Sequence, residues 1–298
     1  MNYIKEDILS KEIILKKYLE EQDIQEIRNL EAICITEDNV NLKLELGYRR
    51  NIHRDYDNNT NDINEFLFYI NNKLVGYLGI SNFGGNVAEI NGMVHPSYRR
   101  RGIFNNLVDL ALLECKKRNF DTILLLCDDK SQSAIKFIEN KNGVYSFSEC
   151  RMKCNNSNLI QVNKIISLVK AKNENIDEIN NLNSIFFGGS QKESIMPEDE
   201  EKNNIFTYLA YIDDKLLGKI KVSKNLNSAF ISGFGILPEY RGNGYGRLAL
   251  TKTLNNLNKD KIYDVELDVE IRNKKALNLY KDCGFIEQSI MNYYSINI

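Results

Sequence analysis

No stretch of the 298-residue chain stays apolar long enough to span a bilayer, and its opening residues, MNYIKEDILSKEIILKKYLEE, carry a charge every few positions. Neither a transmembrane helix nor a signal peptide is expected, which points to a cytoplasmic protein with no membrane partner. An excess of one charge is missing too. Lys and Arg total 39 against 41 Asp and Glu, for a formal net charge of −2 and a pI near 5.9. That balance gives no global reason to expect nucleic acid. Histidine is scarce, with only His53 and His95, and the six cysteines (Cys34, Cys115, Cys127, Cys150, Cys154, Cys283) include no CxxC pair. Cys150 and Cys154 form a CxxxC far from either histidine, so reduced thiols are expected and a metal site is not. What remains is ordinary globular composition, 43% hydrophobic and 27% charged, enough for two domains of about 150 residues.

The two halves repeat each other. Pro96, Tyr98, Arg99, Gly102 and Ala134 recur 142 positions later as Pro238, Tyr240, Arg241, Gly244 and Ala276, and YINNKLVGYLGIS (69–81) falls in the same register on YIDDKLLGKIKVS (211–223). Upstream, IQEIRNLEAI (24–33) matches IDEINNLNSI (176–185) at a spacing of 152, so the first half carries ten extra residues between its first helix and first hairpin. The polar stretch CNNSNLIQVN (154–163) marks the joint, giving domains 1–155 and 160–298.

Each copy reads as a helix, a hairpin, a strand, a glycine turn, a helix, a strand and a further helix and strand, a mixed α/β layer. In the second copy IFTYLAYI and KLLGKIKV flank the turn Asp213-Asp214, and SAFISGFGIL runs into PEYRGNGYGRLAL (238–250). A helical stripe follows at Leu250, Leu254 and Leu257. YDVELDVE (263–270) alternates as a strand with one buried face, and NKKALNLYKDCGF gives a short helix ending at Gly284.

A strand that stops in a glycine turn and feeds a helix presents unpaired backbone N–H groups, which favour a phosphate. A dinucleotide fingerprint needs a third glycine where Arg247 stands, and a P-loop needs Gly-Lys-Ser/Thr at the helix entrance; both are absent. Arg241-Gly242-Asn243-Gly244-Tyr245-Gly246 instead resembles the Arg/Gln-x-x-Gly-x-Gly/Ala signature of the GNAT (GCN5-related) N-acetyltransferases. Asn273, Ala276, Leu279, Tyr280, Gly284 and Phe285 resemble that superfamily's later NxxAxxLYxxxGF element. The whole chain is similar to a tandem GNAT protein. The resemblance implies two α/β domains, each a mixed, mostly antiparallel sheet flanked by helices, and acetyl-CoA as acyl donor to an amine of a small molecule or peptide. It also implies that Arg241, Gly242, Asn243, Gly244, Tyr245, Gly246 and Arg247 hold the pyrophosphate. The strand ending at Ile236 and Leu237 would pair with the pantetheine arm, Asn273 and Ala276 would complete the cofactor site, and Tyr280 would lie near the thioester sulfur.

The chemistry assigns roles of its own. Amide formation from a thioester passes through an oxyanion that free backbone N–H groups stabilise, each worth roughly 100- to 1000-fold. Gly233 and Gly235 suit a strand that bulges to free such groups. Tyr280 is the candidate acid for the departing thiolate. An alkyl amine of pKa about 10.4 is neutral in about one molecule in 2500 at pH 7, so its proton must also be taken. Asp268 and Glu270 are considered for that task, but their place on the polar face of a strand favours solvated structural carboxylates. Plainer roles stand beside the others: Asn273 as a helix cap, Tyr280 as a packing aromatic, His95 as a structural residue next to the acyl channel.

The first half departs from the pattern where chemistry needs it. Arg100 replaces Gly242, Phe104 replaces Gly246, Ser131 replaces Asn273 and Ile138 replaces Tyr280, while TILLLC (122–127) reads as buried on both faces. Catalysis is therefore expected in the second half, and a structural or acceptor-shaping role in the first. The competing readings are a non-catalytic acyl-CoA-binding or regulatory module, and a scaffold that binds no CoA. The resemblance implies that variable loops choose the acceptor, here 34–64 and 186–204, and PEDEE (197–201) reads as a solvated loop cluster or an attractor of a cationic amine.

Overall fold

The computed structural model describes residues 10–51, 62–83, 86–155, 166–188 and 195–297. His53 and, from residue 156 onward, the expected joint lie outside them. The chain divides into two compact units, residues 1–146 with 291–298, and residues 147–290.

The first unit is built from β1 (Lys11–Lys16), α1 (Glu21–Asp38), α2 (Leu46–Asn51), β2 (Glu65–Ile70), β3 (Lys73–Ser81), β4 (Val87–Val94), α3 (Ile103–Lys117), β5 (Thr122–Asp128) and α4 (Gln132–Asn140). The second holds most of β6 (Val144–Asn155), then β7 (Ser167–Lys170), α5 (Ile176–Phe187), α6 (Pro197–Glu201), β8 (Ile205–Ile212), β9 (Lys215–Lys224), β10 (Ser228–Ile236), α7 (Tyr245–Lys259), β11 (Asp264–Glu270) and α8 (Lys274–Asp282). In the first unit β1, β2, β3 and β4 pair antiparallel in that order, β5 lies parallel to β4, and the end of the last strand, β12 (Ile286–Ile296), closes the sheet against β5. The second unit repeats this order as β7, β8, β9, β10, β11, with β6 as the closing strand. Each sheet is thus closed by a strand from the other half of the repeat.

Local chemistry accounts for these elements. The hairpin turns Asn71-Asn72 (φ 49° and 60°) and Asp213-Asp214 (φ 45° and 61°) hold two successive left-handed residues, the backbone of a twist-matched two-residue turn that Asn and Asp tolerate. Leu250, Leu254 and Leu257 are buried along α7, and Val265, Leu267 and Val269 meet them from β11. The strand at 122–128 is buried along nearly its whole length, as its unbroken apolar run requires. PEDEE is a short helix and no open loop: Glu200 pairs with Lys221 and Glu201 with Lys170, both at 2.6 Å. All six cysteines are buried free thiols. Among the described residues no cluster of His, Cys, Asp and Glu could hold a metal ion, and no helix is long and apolar enough to cross a membrane.

Each unit contains one forked strand pair. β10 and β11 pair only from Ser228 with Asp264 to Ile231 with Leu267. Beyond that β10 stays on β9 as far as Ile236 while β11 stays on β6 as far as Glu270, which leaves a V between them. β4 and β5 diverge in the same way after Ile90 and Leu125.

Candidate active site

The forks of the two units differ in the strand that forms one arm. In β10 the register against β9 slips between Ser232 and Gly235, and Gly233 stands at φ 52°. A bulge of this kind turns backbone groups out of the ladder. Gly218 makes it possible from the facing strand, since a Cβ there would meet the Gly235 carbonyl oxygen at 2.0 Å. In β4, where Asn91 and Met93 occupy the matching positions, pairing with β3 runs without a slip. The first fork is also tied across by its own chain: the Asn41 N–H donates to Asp128 at 2.8 Å, the Asn91 amide donates to the Lys43 carbonyl, and the Lys43 ammonium meets the Tyr293 hydroxyl at 2.6 Å. Residues 41–43 therefore bridge both arms of that V.

The glycine turns share a backbone but not their chemistry. Gly102 and Gly244 cap α3 and α7 at φ 77° and 80°, and neither helix start receives a side-chain cap. Gly242 stands at φ 79°; its counterpart Arg100 takes the same left-handed conformation at φ 62° despite its side chain. Arg99 and Arg241 each donate through Nε to the end of the preceding strand, at 2.9 Å to Val94 and 2.7 Å to Ile236. Arg99 then spends its remaining nitrogens on a two-pronged ion pair with Asp38, at 2.7 and 2.6 Å. Arg241 is exposed, and its terminal nitrogens have no acceptor among the described residues. The second turn thus offers an unpaired guanidinium beside an uncapped helix start, the combination that receives phosphate oxygens. Arg247, in the first turn of α7, is instead ion-paired with Asp282. Asn243 donates to the carbonyls of Tyr240 and Arg241 within the turn, and the Tyr245 ring packs on Tyr240 at 6.4 Å.

At Gly246 a Cβ would meet Leu279 at 3.3 Å and Ile236 at 3.7 Å, so the missing side chain lets α7 sit against α8 and the end of β10. The first unit fills that place with Phe104, stacked edge-on to Phe137 at 5.0 Å. Asn273 caps α8 by accepting the Ala276 N–H at 3.1 Å, which realises the plainer role read for it and brings both residues together. Leu237 donates its N–H to Leu217 inside the sheet, while Ile236 is buried at the base of the turn. His95 likewise has a structural role: its Nδ1 accepts the Ser97 N–H at 3.2 Å. Burial and the charges of Lys73 and Arg99 hold its pKa below the ordinary value, which suits a neutral acceptor.

Tyr280 projects from α8 into the cluster formed by α7, α8 and β11 and is 8% exposed. Its hydroxyl makes no hydrogen bond with the described residues, and burial, with a smaller effect of Cys283, pushes the phenol up to about 12. It stays a proton donor throughout the neutral range. The opposite face of the sheet is polar. There Arg151 of β6 grips Asp268 at 2.5 and 2.9 Å and reaches Glu266 at 3.3 Å, while Glu270 is exposed opposite Glu149. Glu266 and Asp268 are thus structural partners of a neighbouring strand, and Glu270 faces solvent.

One residue of this face was not singled out by the sequence pattern. Lys219, in β9 opposite Gly235, is 2% exposed, and burial pushes its ammonium down to about 8, with Lys221 lowering it further and Glu200 opposing. Its signal is a lysine alternating with buried Ile220 and Val222, on a face that a surface helix would be expected to leave wet; α5 covers it instead. The folded pKa lies below the unfolded value of about 10.4, so the unfolded chain binds more protons between pH 8 and 10.5 and stability rises with pH there. Below pH 8 the folded state carries the full penalty, about 3 kcal/mol. Lys219→Met removes that penalty and forfeits a hydrogen bond worth about 1 kcal/mol. The variant is expected to be more stable than the parent by about 2 kcal/mol at pH 7, with the gain gone by about pH 10.5, as urea unfolding at the two pH values would show.

The comparisons with known proteins agree with this geometry. The profile of the acetyltransferase (GNAT) family matches residues 24–144 and again 176–285. Spermidine N(1)-acetyltransferase of Vibrio cholerae serotype O1 is 30% identical over 119 residues, 39% of this chain and 61% of that protein. The match therefore spans less than two thirds of that relative's length. The crystal structure of a GCN5-related N-acetyltransferase from Sphaerobacter thermophilus superposes with a TM-score of 0.75 at 16% identity over 95% of each chain. A tandem GNAT protein from the clavulanic acid biosynthesis pathway, solved without AcCoA, does so with a TM-score of 0.67 at 15% identity over 96% of this chain and 98% of that one. At such identities the likeness speaks for the fold. Since the family profile matches twice and covers most of the sequence, the chain belongs to the acetyltransferase (GNAT) family and carries its fold in tandem.

Proposed function

We propose that this protein is an acetyl-CoA-dependent N-acetyltransferase whose catalytic site is the fork of the second unit. The observation that carries this reading is the asymmetry of the two forks: only the second combines a bulged arm, an uncapped helix start at Gly244 and an arginine with unpaired nitrogens. Gly242, Gly244 and the α7 N-terminus take the pyrophosphate together with Arg241, and Arg247 borders the site while paired to Asp282. The arm ending at Ile236 and Leu237 lines the acyl-donor chain, with the capped start of α8 at Asn273 and Ala276 on the facing side.

Acetyl-CoA supplies the activated acyl group. The amine of the acceptor attacks the thioester carbonyl from the polar face of the sheet, because the other face of the fork is closed by Leu267, Leu277 and Tyr280. Backbone groups freed at Ser232–Gly235 stabilise the oxygen as it gains charge. Tyr280 gives its proton to the departing sulfur as the C–S bond breaks, while the attacking nitrogen loses its proton to solvent, from which the phenolate is reprotonated. A phenol near 12 is a weak acid in water, but Cys115 and Cys127 show what burial does to sulfur in this protein: both thiols are pushed up to about 12. A thiolate leaving into a comparably buried site is matched in basicity to that donor. The relative that acetylates spermidine supports an amine as acceptor class.

Acetyl-CoA at 100 times its dissociation constant should stabilise the fold by about 2.7 kcal/mol, visible as a rise in melting temperature. No shift at millimolar acetyl-CoA would contradict this reading.

A further inference from the structure

Lys219 is buried where a lysine is costly. Its ammonium donates to the Gly233 carbonyl at 3.1 Å and lies 5.5 Å from the centre of the Phe187 ring. The charges around it are already committed. Lys221 and Glu200 are the charges that act on it, and Glu200, from α6, already holds Lys221 at 2.6 Å. Among the described residues no carboxylate pairs with Lys219, although burying an ammonium strongly favours a paired counter-charge. Its one hydrogen bond, to a carbonyl, leaves two of its three N–H bonds to be used.

The place of this ammonium bears on the reaction. β9 lies one strand spacing, about 4.8 Å, from β10, whose far edge forms the fork. Lys219 therefore stands beneath the bulge on the face that α5 covers, on the side away from the acyl-donor chain. That is too far from the fork to act on the sulfur, and near enough to meet a second group on a small molecule whose amine reaches the fork. Phe186 packs under the bulge, since a Cβ on Gly235 would meet its ring at 2.3 Å. Phe187 is 52% exposed and lies over the ammonium, so ordinary rotation of an exposed side chain uncovers it.

We propose that Lys219 receives a carboxylate carried by the acceptor, so that the second unit acetylates an amine bearing an acid group and discriminates against polycations. This rests on the acetyltransferase reading above. A buried cation with no counter-ion attracts an anion and repels a second ammonium at the same place, which gives specificity in both directions.

Two experiments on the full chain test this. In the first, Lys219 is titrated by NMR in protein with labelled lysine side chains, with glycine, β-alanine or γ-aminobutyrate added and no acetyl-CoA present. A carboxylate within about 4–6 Å should raise its pKa by about 1 unit or more; no movement with any of the three overturns the proposal, whatever the fate of the acetyltransferase reading. In the second, parent and Lys219→Met are compared on those three amines, their carboxamides and spermidine, following CoA thiol release. The parent should favour each acid over its amide by at least about tenfold in kcat/KM, one missing charge-assisted contact, and use spermidine poorly. Lys219→Met should lose the preference while binding acetyl-CoA as the parent does. Amides or spermidine used as well as the acids, a preference that survives in Lys219→Met, or no acetylation of any acid by protein that binds acetyl-CoA, would each overturn it.

Discussion

Tyr280→Phe should leave the affinity for acetyl-CoA within about twofold of the parent and lower the turnover rate by about 100-fold or more, the scale of a positioned proton donor. The substitution is unusually clean here. The hydroxyl makes no hydrogen bond with the described residues, and the ring, packed edge-on to Phe285 at 6.0 Å, keeps all its contacts as phenylalanine. Stability should therefore change by no more than about 0.5 kcal/mol. Because burial holds the phenol up to about 12, the parent should show no loss of activity from this group at any pH below about 11. Rates measured at saturating acceptor separate the outcomes. An unchanged turnover would remove Tyr280 as the acid and leave it as a core aromatic, the plainer role its burial also fits.

Gly244→Ala should abolish measurable acetyl-CoA binding, a rise in dissociation constant of at least about 100-fold, whereas Gly102→Ala should leave binding intact. The two positions are matched controls for each other. Both stand in the left-handed region, at φ 80° and 77°, and a Cβ at either would meet nothing within 4 Å. Each alanine thus costs about 1–2 kcal/mol of backbone strain and no clash within the protein. What separates them, on the function proposed above, is the ligand: only at Gly244 would the new methyl point at the pyrophosphate, beside the uncommitted nitrogens of Arg241. At Gly102 the neighbouring Arg99 is already neutralised by Asp38. Equal loss of stability with unequal loss of binding is the expected pair of results, read by thermal unfolding and by calorimetry. Loss of binding in a folded Gly102→Ala protein would assign the cofactor to the first unit.

Much of this architecture was legible because the repeat doubles every signal. The hairpin turns at Asn71-Asn72 and Asp213-Asp214, the helical stripe at Leu250, Leu254 and Leu257, and the alternation of 263–270 each follow from local stereochemistry, and each sits where its pattern placed it. Local rules could not reveal which strand closes which sheet. β6 and β12 have the same short-range pattern whether they pair within their own half or with the other, because hydrogen-bond partners far apart in sequence leave no mark on periodicity. The short strands β1 and β7 leave little signal for a related reason: KEIILK and SLVK are edge strands of few residues, and their charges mask the alternation. At the site, glycine and asparagine announced their roles through backbone needs. Lys219 did not, since a lysine in a strand is ordinarily read as facing water, and its burial depends on how α5 packs across the sheet.

On the function proposed above, one fork of the two, the second, accepts the acyl donor. Isothermal titration of the full chain with acetyl-CoA tests it most directly, because stoichiometry counts forks without needing the acceptor. One acetyl-CoA per chain is expected in the parent and in Gly102→Ala, and none in Gly244→Ala. Two equivalents per chain, or a single equivalent that persists in Gly244→Ala, would contradict it.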